Sequence, residues 1–76
     1  MTTLLALTLE AEIFRVDAKA ARWEQRALLA PMKGPYLRPA KVMRMFTHAG
    51  RAALETGNPE LMDAVLSDLT KYNDED

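Results

Sequence analysis

Seventy-six residues with no cysteine describe one small domain that has neither a disulfide to staple it nor a thiolate for chemistry. A chain of this length buries only about 60 to 65% of its unfolded surface, so oligomerisation is the remaining route to extra buried area. The net charge of −1 hides a segregation, because residues 1–30 are neutral, 31–57 carry +4 and 58–76 carry −5; that polarity limits partners more than the total does.

From Leu4 to Ala30 no Gly or Pro interrupts the chain, and the spacing predicts one long helix over about residues 3–30. Leu9, Ile13, Val16, Ala20, Trp23, Ala27 and Ala30 recur at alternating steps of four and three, which places them on a single seam. At about 1.5 Å per residue the element would be roughly 40 Å long. Thr2 or Thr3 can cap a helix that starts at once. The alternative is a cap at Thr8 with residues 2–9 as a strand, which needs a partner strand that only a symmetric dimer could supply.

A second apolar stripe, Leu7, Ala11, Phe14, Ala18, Ala21 and Leu28, lies well round the same helix and is the candidate interaction or dimer face. Its small residues around one aromatic would let another helix approach closely. Between the stripes run two charged lines, Arg15, Lys19, Arg22 and Arg26 on one side and Glu10, Asp17 and Glu24 near the other. Arg15 with Lys19, and Arg22 with Arg26, are like-charge pairs four residues apart, so favourable pairing along the helix does not explain the basic line.

Pro31, Gly34, Pro35 and Pro39 predict a connector over 31–39 that no continuous helix crosses, with Tyr36 and Leu37 folding onto the core. A second helix is expected over 40–56, opened by Pro39, with Val42, Phe46, Ala49 and Ala53 inward and Met43, Met45 and Leu54 beside them. Gly50 within it signals a close crossing, and Lys41, Arg44, His48 and Arg51 make one side basic. Thr56-Gly57-Asn58-Pro59-Glu60 reads as a tight helical turn: Gly57 takes the left-handed position, Asn58 caps, and Pro59 opens a third helix over 59–72. Met62, Val65, Leu66 and Leu69 should face inward. Residues 73–76 are read as a frayed acidic tail, and the second and third helices, as then bounded, are too short to cover the first.

Chemistry has little to work with. Serine occurs only at Ser67 and histidine only at His48, which leaves no convincing nucleophile and base. One His and no Cys exclude soft-ligand metal sites in practice, and the three glycines are too scattered for a phosphate loop. No enzyme, metal or cofactor is expected. Because no apolar run approaches the roughly 18 residues of a membrane span and no cleavable leader opens the chain, the expected location is cytoplasmic, without membrane contact.

The fold class is therefore all-α, one long N-terminal helix packed against a C-terminal helical hairpin, as a homodimeric helical bundle. The leading function is a small non-enzymatic protein–protein interaction module, a regulator or inhibitor that masks a larger protein. One alternative is a small dimeric nucleic-acid-binding protein using the basic surface of Arg15, Lys19, Arg22, Arg26, Lys41, Arg44 and Arg51; against it stands the acidic C-terminal third. The other is a structural subunit of a larger assembly.

Overall fold

The computed structural model describes residues 3–75. It contains three helices, α1 (Leu4–Leu29), α2 (Gly34–Thr56) and α3 (Pro59–Leu69), and no strand among the described residues. Thr2, the other candidate cap, and Asp76 of the tail lie outside them. None of the three helices is long and apolar enough to cross a membrane.

Thr3 starts α1. Its backbone is extended and its hydroxyl oxygen accepts the Ala6 N–H at 3.1 Å, which satisfies one of the orphan donors of the first turn. The strand alternative is thereby corrected: Thr8 lies inside the helix and donates its hydroxyl to the Leu4 carbonyl at 2.8 Å. The other end stops at Ala30, whose extended backbone is what the following Pro31 favours.

Helix α2 corrects the expected 31–39 connector and 40–56 boundary. It begins at Gly34, so only residues 30–33 join it to α1. Pro35 falls in the first turn, where its missing N–H has no partner to lose, while Pro39, the sixth helical residue, removes one ladder bond. That loss is offset by what the turn buries: Tyr36 sets its ring 6.0 Å from Trp23, and Ala40 is enclosed in the core. Leu37, expected inward with Tyr36, is 44% exposed.

The inward face of α2 also differs from expectation. Ala53 and Met43 are buried as expected, but so are Ala40, Thr47 and Gly50, whereas Val42, Ala49 and Met45 are exposed and Phe46 and Leu54 are only partly covered. The contact with α1 is rotated by about one residue because it selects small groups that let the helices close. A Cβ placed on Gly50 would stand 2.9 Å from Ile13 Cδ1 and Cγ1, so this crossing requires glycine. The Thr47 hydroxyl lies 3.1 Å from the Arg44 carbonyl oxygen and also faces the Asp17 carboxylate, two acceptors for its single proton.

Gly57 ends α2 in the left-handed conformation, φ 68°, which costs glycine nothing. Asn58 then caps α3, its Oδ1 accepting from Glu60 N at 3.0 Å and Leu61 N at 3.3 Å. The helix ends at Leu69 rather than the expected Tyr72, and the Tyr72 ring packs 6.3 Å from Phe46.

α1 and α2 are antiparallel along most of their length, since Tyr36 meets Trp23 near one end and Gly50 meets Ile13 towards the other. With 23 residues, or about 34 Å, α2 covers nearly all of α1, so the expected overhang is corrected for this pair. α3 has 11 residues, about 16 Å, and its last turn reaches only as far as Arg15. The assembly is thus three helices thick over the first half of α1 and two thick over the second. The whole measures 47 × 18 × 17 Å.

Candidate functional site

The α1 seam of Leu9, Ile13, Val16, Ala20 and Ala27 is buried against α2 and α3, with Trp23 partly buried beside it. The second stripe lies on the far side of the helix. Phe14 is 78% exposed, Leu28 76% and Leu7 52%; Ala11 is exposed, and Ala18 and Ala21 are half-buried at the margins. All six nominated residues therefore share one outer face of α1, on which Leu7, Ala11, Phe14 and Leu28 are exposed. Leu4, 80% exposed, continues the stripe by a further step of three, a spacing that the sequence itself carries.

The nominated basic residues do not form one surface. Arg44, on α2, donates to Glu24 Oε1 at 2.7 Å and Asp17 Oδ1 at 3.3 Å, and Arg51 pairs with the other oxygen of Asp17. Burial alone would push the Asp17 carboxyl up, but the Thr47 hydroxyl, Arg51 and Arg44 outweigh it and hold Asp17 below its ordinary value. The hydrogen bond that Arg44 donates to Glu24 is the main reason its guanidinium is held above its ordinary value.

On the other side of α1 the bases engage the C-terminal segment. Arg15 donates to the Leu69 carbonyl and to Asp74 Oδ1, both at 3.0 Å, and also pairs with Glu12. Desolvation lowers the Arg15 pKa, yet Glu12 and Asp74 more than reverse it. Lys19 is only 5% exposed, and its ammonium donates to Asn73 O at 2.6 Å, Glu75 O at 2.8 Å and Asn73 Oδ1 at 3.1 Å. Three protons meet three oxygens, which is what a buried ammonium requires. Residues 73–75 are therefore docked, correcting the frayed tail, for a reason no local pattern carries: the anchoring lysine is more than fifty positions away.

Arg22 and Arg26 also have partners, and Lys41 lies exposed on α2. Among the described residues, Arg44 and Arg51 of the +4 middle pair with Asp17 and Glu24 of α1, and Asp74 of the −5 end pairs with Arg15 of α1. Ser67 and His48 are both exposed on different helices. Among the described residues no three His, Cys, Asp or Glu side chains gather as a metal site. Compared with protein-family models, with curated proteins and with solved structures, the chain matches none.

Proposed function

We propose that the chain is a small non-enzymatic protein–protein interaction module that self-associates through the outer face of α1 into a homodimeric helical bundle, and that it regulates a larger protein by covering a site on it. The observation that supports this reading is the apolar stripe of exposed Leu7, Ala11, Phe14 and Leu28 with half-buried Ala18 and Ala21, opposite a core that is already filled. Apolar side chains collected in one line on a small protein's surface are characteristic of an interface. Nucleic-acid binding is the weaker use of this surface, since Arg15, Lys19, Arg44 and Arg51 are committed to oxygen acceptors within the fold.

The test is solution mass by sedimentation, at low and high salt and across a tenfold concentration range, for the wild type, Phe14→Asp and Ala21→Asp. The wild type should be dimeric at both salts and the two variants monomeric with unchanged helix content. A wild type that is monomeric throughout, or variants that associate as well as it does, would refute the reading. Salt-sensitive retention on DNA or RNA that survives both substitutions would favour the nucleic-acid alternative.

A further inference from the structure

The outer stripe is longer and more regular than six residues. Leu4, Leu7, Ala11, Phe14, Ala18, Ala21, Gln25 and Leu28 follow one another at alternating steps of three and four along the whole of α1. A period averaging 3.5 residues is the spacing at which one helix stays in contact with another along its length. The residues that bind α2 and α3 lie on the opposite side, so none of the three helices of the described residues is left to fill this seam.

What flanks the seam identifies its occupant. Glu10, Asp17 and Glu24 each stand immediately before Ala11, Ala18 and Gln25, forming one edge. Arg15 and Arg22 each stand immediately after Phe14 and Ala21, forming the other. A helix with one acidic and one basic edge complements a copy of itself only when the two run in the same direction. Glu10 then faces Arg15 of the second copy and Asp17 faces its Arg22, five residues on, the usual reach of such edge pairs. Reversing one copy sets acid against acid and base against base along the full seam.

The layer behind each edge has the same logic. Arg44 and Arg51 of α2 back the acidic edge, while Asp74 and the tail back the basic edge. These groups already have partners within the chain, so the cross-copy pairs extend existing networks. Their signs still match between parallel copies and oppose between antiparallel ones. Ala11, Ala18 and Ala21 keep the two backbones close around the facing Phe14 rings.

Resting on the interface reading above, we propose that the seam is filled by the α1 helix of a second copy, parallel and in register, giving a six-helix dimer with α2 and α3 of each copy on its outer flanks. The absence of cysteine from the chain makes the direction readable. Leu7→Cys and Leu28→Cys are placed singly at exposed seam positions, one variant carries a size tag, and each is oxidised alone and in equimolar mixture. Parallel, in-register helices bring identical positions within the about 7 Å between Cα atoms that a disulfide spans. Each variant alone should therefore form a covalent dimer, and the mixture should yield no tagged–untagged hybrid. Ala18→Cys, at mid-seam, should cross-link like the others, and Phe14→Asp should weaken dimerisation more than about tenfold.

Hybrid as the dominant product, with neither variant cross-linking alone, would establish an antiparallel dimer and overturn this inference while leaving the interface reading intact. A wild type that stays monomeric by sedimentation, or a dimer indifferent to Phe14→Asp, would overturn both.

Discussion

Two glycines in this chain are required for different reasons, and a pair of alanine substitutions separates them. At Gly50 the backbone is ordinary helix but the space is taken, because an added Cβ would meet Ile13 Cδ1 and Cγ1 at 2.9 Å and Val65 Cγ1 at 3.5 Å. At Gly57 nothing lies within 4 Å, but φ is +68°. Gly50→Ala gains about 1 kcal/mol of helix propensity and incurs an overpacking cost of about 1–3 kcal/mol. The cost prevails because Ile13 is itself buried between the helices, for a net loss of about 1 kcal/mol. Gly57→Ala loses about 1–2 kcal/mol through backbone strain alone. Ile13→Val removes one of the two crowded atoms. It should cost about 0.5–1.5 kcal/mol in the wild type but nothing, or a gain, beside Gly50→Ala, a coupling of about 1 kcal/mol. With Gly57→Ala it should be additive within about 0.5 kcal/mol. Urea denaturation at one fixed protein concentration, with equal m-values, measures all of these. Zero coupling between positions 13 and 50 would refute the close crossing.

Other outcomes follow from the polar contacts. Asp17 is held below its ordinary pKa, so its stabilising effect is full above the unfolded-state value and disappears as pH falls through the lowered folded value; Asp17→Asn should flatten the acid limb of a stability–pH curve, and an unchanged limb would show that the Arg44 and Arg51 contacts contribute nothing. Lys19→Met keeps the buried volume but removes all three donors to residues 73–75. The backbone order of residues 73–75, read by the heteronuclear 15N NOE, should fall towards that of a free tail while global stability moves by no more than about 1.5 kcal/mol. Asn58→Ala deletes the acceptor for two first-turn N–H groups and should cost about 1 kcal/mol, measured by the same urea titration.

How far the sequence discloses this protein depends on whether the signal is local. The buried seam of α1 reads correctly from Leu9 to Ala27 because each member lies three or four residues from the next. The Gly57-Asn58-Pro59-Glu60 turn reads correctly because each residue type has one conformational use there. The start of α2 misleads because Pro39 disfavours helix locally, whereas burial of Ala40 and contact of Tyr36 with Trp23 favour it from across the fold. The face of α2 misleads because the largest apolar side chains, Val42 and Phe46, suggest the core, when the crossing is made by Thr47 and Gly50. The candidate apolar face was legible as a stripe, and the structure leaves it uncovered. The basic surface was not legible, because the acceptors for Arg44 and Arg51 are about twenty to thirty-four positions away and those for Lys19 more than fifty.

The unequal coverage of α1 has a consequence for how the domain comes apart. Where α3 and the docked tail lie across Leu9, Ile13 and Val16, opening a helix means breaking contacts with two others. Beyond Lys19 α2 holds it, with Trp23 against Tyr36 and Ala27 buried. Sub-global opening therefore begins at the 30–33 connector and proceeds towards Gly50, giving a gradient of local stability along a single helix. Trp23, the only tryptophan, sits in that less protected half against Tyr36. Its indole N–H is buried with no hydrogen-bond partner among the described residues, so its first contact with water would mark the early, reversible parting of α1 from α2 ahead of the cooperative loss of the core.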